Sequence, residues 1–138
     1  MAVNTQFSIA VHMLVGLGYL PHGETTSAHL AKSVNTSPSF VRRILSKLSK
    51  AGLVSTSMGK TGSTTLAKDP MNITLLEIYR AVDAPKAFAI HDYPAQAACP
   101  VSCGIKTVME DVLGRTQQSM EDGLGKITLA DVISEVPK

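Results

Sequence analysis

The segment SPSFVRRILSKLSKAGLV, residues 37–54, constrains the fold more than any other part of the sequence. Ser37 followed by Pro38 is typical of a helix start, because a serine hydroxyl accepts a hydrogen bond from a first-turn amide and proline fits the first helical position. Gly52 predicts the helix end, where a left-handed backbone favours glycine. The segment therefore predicts one helix with well-marked ends, followed by a short strand that starts at Leu53.

The predicted helix has an apolar face and a cationic face. Its apolar residues recur at steps of three and four, as one side of an α-helix requires: Phe40, Val41, Ile44, Leu45 and Leu48. The other side carries polar and basic residues: Arg42, Arg43, Ser46, Lys47, Ser49 and Lys50. A helix that packs through one face and exposes cations on the other is expected of a DNA-recognition helix.

The chain has 138 residues and a net charge of +2, but its charges are distributed unevenly. Residues 25–68 contain seven Lys or Arg and no Asp or Glu, whereas residues 69–138 contain six basic and ten acidic side chains. This pattern favours a polyanion-binding part joined to a part with another task. The alternative, an ordinary solvated basic surface, fits less well with a folded segment that lacks acids altogether.

Signals on both sides of the recognition segment predict a winged helix-turn-helix. A first amphipathic helix precedes a short second helix from Ser27 to Val34, which Thr26 caps, and a two-residue turn leads into the recognition helix. After Gly52, two strand-like runs around a glycine-containing turn predict a β-hairpin, the wing. The predicted fold class is mainly α with a small β wing, and residues 1–83 are expected to form the DNA-binding domain.

The second half of the sequence predicts a loop and a long helix. Residues 84–99 show no clear period and are expected to be a loop that acts as a hinge, as an effector contact or merely as a connector. From Pro100 to about Asp122 the sequence is amphipathic, and Gly123 and Gly125 are expected to break the helix. Its apolar stripe comprises Ile105, Val108, Met109, Val112, Leu113, Thr116 and Met120.

This stripe needs a partner, which is either the core of the same chain or the same helix of a second subunit. We favour a homodimer interface, because the winged module already has its own core. Residues 100–138 are thus expected to hold a dimerisation helix and a C-terminal helix. The last helix starts with ITLADVISEV, which is similar to ITLLEIYRAV at residues 73–82; both are interpreted as one helix-start pattern used twice, with a capping box from Thr74 to Glu77.

Four motifs in this order resemble the Rrf-type family of bacterial transcription regulators, the group that includes IscR, NsrR and CymR. They are SPSFVRRILSKLSKAGLV, LAKDPMNITLLEIYRAVD, CPVSCGIKTVMEDVL and ITLADV, and the resemblance covers essentially the whole chain. It implies a homodimeric winged-helix repressor or activator whose long helix pairs across the dimer and whose last helix packs back near the DNA-binding part. It also implies that some members sense through cysteine-bound iron–sulfur clusters, and others through partner proteins or thiol chemistry.

The sequence departs from the cluster-binding members of this family. They carry three cysteines near the start of the dimer helix, whereas this chain has only Cys99 and Cys103, and Lys106 stands where a histidine ligand would be sought. No cofactor is therefore expected. The wing of the family is often a run of glycines with an arginine, and here Lys60 is expected to take the cationic role.

The residues expected to contact double-stranded DNA lie mostly on the recognition helix. Candidates for base contacts are Ser37, Ser39, Arg42 and Arg43, since arginine can bond guanine through two hydrogen bonds. Candidates for phosphate contacts are Lys47, Lys50 and Lys60, together with Ser27 through its backbone at a helix N-terminus. For Arg42 the alternative is a phosphate contact.

Cys99 and Cys103 are the candidate sensor residues, with His91 in the preceding loop. Cys99 is expected to cap the long helix, whose N-terminus favours the reactive thiolate form. Three interpretations remain open: inert thiols, a redox switch through a disulfide or sulfenate, and metal or cluster ligation completed by His91, Asp92 or the other subunit.

The sequence thus predicts a homodimeric, sequence-specific DNA-binding regulator, expected to be a repressor, that responds to redox or thiol-reactive signals. The alternatives are a winged-helix protein–protein adaptor without specific DNA binding, and an iron–sulfur or metal-sensing regulator. An enzyme is not expected, because no phosphate-binding glycine loop, carboxylate pair or nucleophile–base arrangement occurs. With two cysteines and no apolar run of membrane-spanning length, the protein is expected in the cytoplasm, without a membrane partner.

Overall fold

A computed structural model describes residues 4–19, 24–57 and 63–137. The helices are α1 (Gln6–Tyr19), α2 (Ser27–Val34), α3 (Pro38–Lys50), α4 (Leu75–Ala81), α5 (Pro100–Gly125) and α6 (Leu129–Glu135), with a 3-10 turn at Pro70–Asn72. The strands are β1 (Glu24–Thr26), β2 (Val54–Thr56) and β3 (Ser63–Leu66). The predicted fold class, mainly α with a small β wing, is confirmed.

Helices α2 and α3 begin where the sequence predicts. The Thr26 hydroxyl accepts a hydrogen bond from the His29 amide at 3.2 Å, and the Ser37 hydroxyl accepts one from the Phe40 amide at 3.2 Å. Between the helices Asn35 takes a left-handed conformation with φ of 63°, which reverses the chain within two residues. The helix-turn-helix thus follows from local capping and turn chemistry.

The wing belongs to a sheet with one more strand than the sequence predicted. The strand order is β1-β3-β2 and both pairs are antiparallel, so β3 lies in the centre. The missed strand, β1, has only three residues and runs directly into the α2 cap, so it shows no period of its own. The predicted turn of the hairpin and Lys60 fall on residues 58–62, which lie outside the described residues.

By their contacts the described residues fall into two compact units. The winged unit comprises residues 1–84 and 124–138, and the helix–loop unit comprises residues 85–123. The core of the winged unit joins Met13, Leu14 and Leu17 of α1 to the apolar face of α3. The C-terminal helix α6 packs on α1 and adds the fully buried Leu129, so the winged unit is completed by the last residues of the chain.

The two ITL motifs, at residues 73–75 and 127–129, lie against each other. The Leu75 amide donates to the Ile127 carbonyl at 2.9 Å, and the Leu129 amide donates to the Ile73 carbonyl at 2.8 Å. An antiparallel bridge pairs the two threonines of the motifs. We call this arrangement the ITL clasp. It ties the start of α6 to the start of α4, which the similarity of the two motifs alone did not reveal.

The predicted capping box at Thr74 is only half formed. The Thr74 hydroxyl accepts from the Glu77 amide at 3.1 Å, but the Glu77 carboxylate forms an ion pair with Lys68 at 3.0 Å. The complete capping box belongs to the second motif, where Thr128 and Asp131 exchange hydrogen bonds of 3.1 and 2.9 Å. The Glu77 carboxylate therefore pairs with Lys68 and does not cap the start of α4.

Helix α5 continues past Asp122 and Gly123 and ends at Gly125, the second of the two glycines predicted to break it. Glycine lowers helix stability by only about 1 kcal/mol, which the hydrogen bonds of a long helix can absorb. Among the described residues no helix is long and apolar enough to cross a membrane.

The packing of the clasp predicts unequal effects of two alanine substitutions. Leu129 is fully buried, whereas Ile127 is 39% exposed. We expect Leu129→Ala to lower the free energy of unfolding by about 2–5 kcal/mol, and Ile127→Ala to have a clearly smaller effect, because less apolar surface is lost. Urea unfolding followed by circular dichroism measures both. Equal losses would contradict the assignment of α6 to the core of the winged unit.

Candidate nucleic-acid interface

Helix α3 separates its two kinds of side chain as the sequence predicts. The apolar residues that anchor it are buried: Val41, Ile44, Leu45 and Leu48. Ser39, Arg42, Arg43 and Lys50 are exposed on the other side of the helix. Burial of one face therefore fixes the direction in which the cationic face points.

An open groove of about 580 Å³ lies beside this exposed face, between α3 and the sheet. We call it the polar groove. Its lining residues are Ser27, Arg42, Leu45, Ser46, Ser49, Lys50, Thr56, Ser57 and Thr64. The structure thus brings together three of the predicted DNA contacts, Ser27, Arg42 and Lys50, from two helices.

The remaining polar lining of the groove consists of hydroxyl side chains. Ser46 and Ser49 stand on the polar face of α3 that the sequence identified, although they were not singled out as contacts. Thr56 and Ser57 come from β2 and its end, and no sequence signal marked them. Hydroxyl groups and cations both bind phosphate oxygens, so the groove has the chemistry of a surface that binds the sugar-phosphate backbone of DNA.

The electrostatics of the groove are cationic. Within the described part of the chain neither Arg42 nor Lys50 has a carboxylate within ion-pair distance. No acidic residue occurs between Thr25 and Lys68. Both cations are therefore available to an external anion.

Other predicted contacts have local roles in the winged unit. The Arg43 guanidinium carbon lies 5.2 Å from the centre of the Phe40 ring, and the Ser37 hydroxyl is used as the helix cap. Lys47 is half-buried, and its ammonium donates to the Gln6 side chain of α1 at 2.9 Å. Lys47 therefore helps to attach α3 to α1, and a phosphate contact would use its remaining donors.

The candidate sensor residues lie in the helix–loop unit, at the start of α5. Cys99 is half-buried and Cys103 is exposed, and both are free thiols. The Ser102 amide donates to the Cys99 sulfur at 3.4 Å, so Cys99 does cap the helix as predicted. The Cys103 thiol donates to the carbonyl of Gln96 at 3.3 Å.

Ser102 holds the preceding loop against this first turn. Its hydroxyl accepts from the Gln96 amide at 2.8 Å, and its carbonyl accepts from the Tyr93 hydroxyl at 2.6 Å. His91 stacks on Tyr93 with ring centres 4.7 Å apart, and no contact joins its imidazole to either thiol in the described structure. Nowhere among the residues described do three His, Cys, Asp or Glu side chains meet in a metal-binding group.

The predicted dimer stripe of α5 is uncovered. No residue of this helix is buried, and Val108 and Val112 are 56% and 38% exposed. A row of apolar side chains on a long helix without a covering layer is typical of a surface that meets another molecule.

The folded elements define a winged helix-turn-helix protein with a cationic recognition surface. The model of the family Rrf2, described as "Iron-dependent Transcriptional regulator", matches residues 3–135. The chain belongs to the Rrf2 family, which confirms the resemblance found in the sequence. It is a DNA-binding transcription regulator.

Similar proteins agree with this assignment. The chain is 36% identical over 135 residues to YwnA of Bacillus subtilis (strain 168), a predicted HTH-type transcriptional regulator, and the match covers 97% of this chain and 98% of YwnA. A solved structure of a predicted DNA-binding protein is 34% identical, covers 93% of this chain and 98% of its own, and superposes with a TM-score of 0.75. CymR, the global cysteine regulator of B. subtilis, shares the fold with a TM-score of 0.73 at 21% identity and 99% coverage of both chains.

Proposed function

We propose that the protein is a homodimeric repressor that reads operator DNA with α3 and holds the DNA backbone in the polar groove. The observation that carries this proposal concerns Arg42, which is exposed beside the hydroxyl-lined groove and has no ion-pair partner among the described residues. A repressor needs only to occupy its operator and block access to it. Two copies of α3 in successive major grooves would do so without a further protein contact.

Within this proposal the two groove cations have different roles. Arg42 stands in the second turn of α3, where a side chain reaches base edges when the N-terminal part of a recognition helix enters the major groove. Lys50, at the C-terminal end of the helix, lies further from the bases and would pair with phosphates. Arg42 thus contributes specificity, and Lys50 contributes affinity for any sequence.

The homodimer is proposed from the uncovered stripe of α5. Val108, Val112 and their neighbours would meet the same stripe of a second copy, since a symmetric dimer lets one apolar surface cover itself. Dimerisation would also explain how two recognition helices are held at a fixed spacing.

We further propose that Cys99 and Cys103 sense thiol-reactive oxidants. Peroxide would oxidise the exposed Cys103 thiol to sulfenic acid with release of water, and the Cys99 thiol would then condense with it to a disulfide with release of a second water. The Cys99 thiol accepts from an amide in the first turn of α5, and the Cys103 thiol donates to the loop that precedes the helix, so oxidation would alter that junction.

The residues present do not fit an iron–sulfur cluster held by one chain. Such clusters are usually held by four cysteine thiolates. This chain has two thiols, and both already bond groups of the loop and the first turn of α5. The family description as iron-dependent is therefore not carried over to this protein.

The different roles of Arg42 and Lys50 predict different DNA-binding defects. On an operator selected by the wild-type protein, Arg42→Ala should reduce discrimination against random DNA by about 1–3 kcal/mol, because bidentate base contacts are lost. Lys50→Ala should weaken binding to all sequences alike and reduce the slope of log affinity against log salt by about one. Fluorescence anisotropy at several salt concentrations measures both effects.

Lys126→Ala is the matched control, since it removes one exposed charge outside the groove. Similar losses on operator and random DNA for both groove variants would contradict the division of roles. An affinity that does not fall with salt would favour the adaptor alternative.

The exposed stripe predicts that a charge at Val112 prevents dimerisation. Val112→Lys should shift the protein from dimer to monomer in light scattering, because a lysine cannot be buried unpaired in an apolar interface. Thr107→Lys adds the same charge at an exposed position outside the stripe and should leave a dimer. A monomeric wild type, or two variants that both remain dimers, would contradict the proposed interface.

The thiol proposal predicts a reversible response to peroxide. Wild-type protein should lose free thiols and change its affinity for the operator, and a dithiol reductant should restore both. The Cys99→Ser, Cys103→Ser double variant has no thiol and should keep the same affinity before and after peroxide. If the wild-type protein loses its thiols to peroxide but binds the operator with unchanged affinity, the proposed redox switch is contradicted.

A further inference from the structure

The helix–loop unit contains a cleft that the proposed function does not use. The loop residues 85–93, which we call the strap, precede α5 and are bonded to it at two points. The Ala87 amide donates to the Gln117 side chain at 3.0 Å, and further along the Tyr93 hydroxyl donates to the Ser102 carbonyl at 2.6 Å. Between this strap and the helix lies a cleft of about 740 Å³. A smaller cavity of about 310 Å³ shares four lining residues with it.

The size and lining of the cleft suit a small organic molecule. Its volume is within the roughly 300–1,000 Å³ of typical ligand sites. Phe88 and Ile90 of the strap and Leu113 of the helix provide apolar surface, and Phe88 is 62% exposed. An exposed aromatic ring at the edge of a cleft offers contact area to an apolar ligand.

Gly114 is unusual in the middle of a 26-residue helix, where glycine is less stable than alanine. Close packing of another element does not explain it, because a Cβ built at Gly114 meets no atom within 4 Å in the structure. Gly114 lines the cleft. Because glycine has no side chain, position 114 leaves space within the cleft.

Lys106 provides a charge at the place where the two cavities adjoin, since it lines both. It is exposed and has no ion-pair partner within the described residues, although Glu110 follows one turn later on the same row. Two polar residues line the other end of the cleft, where the Gln117 amide donates a hydrogen bond to the Glu121 carboxylate. Lys86 of the strap also lines the cleft, but only Lys106 lines both cavities, and it is therefore the cation best placed to receive a ligand anion.

Most of the α5 residues that line the cleft lie outside the dimer stripe. Lys106, Glu110 and Gly114 form one row along the helix, and Val108 and Val112 form another that is offset by two residues. An offset of two residues corresponds to about 200° around an α-helix. Leu113 belongs to the stripe and borders the cleft, and the smaller cavity also includes Ile105 and Met109 of the stripe. A dimer through the valines would leave the row of Lys106, Glu110 and Gly114 accessible.

We propose that this cleft is a binding site for a small amphipathic organic anion, whose apolar body lies on Phe88, Leu113 and the bare backbone of Gly114 and whose anionic group pairs with Lys106. Binding needs neither DNA nor the thiols. Control of DNA binding by such a ligand would rest on the proposed function, but occupancy of the cleft does not.

Anilinonaphthalene sulfonate, an aromatic sulfonate whose fluorescence rises in apolar surroundings, is a suitable probe of this site. The wild-type protein should bind one molecule per chain in a saturable titration. Gly114→Leu should weaken binding by about ten-fold or more, because the new side chain takes up space in the cleft, beginning with a Cβ that meets no atom within 4 Å. Gly104→Leu is the matched control: it also meets no atom within 4 Å, stands on the same helix and does not line the cleft, so it should bind the probe normally.

Two charge variants test the orientation of the ligand. Lys106→Gln should weaken binding by about ten-fold, and Glu110→Gln should strengthen it, because a nearby negative charge repels the sulfonate. The proposal is overturned by unsaturable binding to the wild type, by equal affinities of the Gly114 and Gly104 variants, or by a Gly114→Leu protein that fails to dimerise while the Gly104 variant dimerises. The last result would assign the cleft to a second copy of the chain. None of these titrations contains DNA, so their failure is distinct from a failure of the proposed DNA contacts.

Discussion

The burial of the apolar face of α3 is the interaction on which the rest of the structure depends. Ile44 and Leu48 are almost completely removed from water against α1 and its neighbours. Because a helix is rigid, this burial fixes the opposite face, and Arg42 and Lys50 must point outward. The same packing places the sheet beside α3, which creates the polar groove.

The ITL clasp has the corresponding role at the other end of the winged unit. Two backbone hydrogen bonds and the buried side chains of Ile73 and Leu129 join the last helix to the residues that follow the wing. The chain therefore leaves the winged unit after α4 and returns to it at α6. The helix–loop unit is inserted between these two points. The DNA-binding module and the segment proposed for sensing and dimerisation are thus combined in one short chain.

Much of the fold was predictable because its signals are local. Caps at Thr26 and Ser37, the turn at Asn35 and the period of α3 each involve residues within one or two turns. The features that the sequence did not predict depend on contacts between different elements. Strand β1 exists only because β3 pairs with it, and the Glu77 carboxylate leaves its cap because Lys68, which precedes α4 and lies outside it, approaches the carboxylate. Such outcomes depend on residues outside the element itself, which the pattern of that element does not contain.

The sequence by itself determined the helix-turn-helix, the cationic face of α3, the family and the position of Cys99 at a helix start, because all of these depend on the order and spacing of neighbouring residues. Tertiary structure decided which of the cations share a groove with hydroxyls of the sheet. It also decided that Lys47 bonds α1, that the two ITL motifs pair, and that a cleft opens beside Gly114. These features arise where elements far apart in the chain pack together or leave space between them.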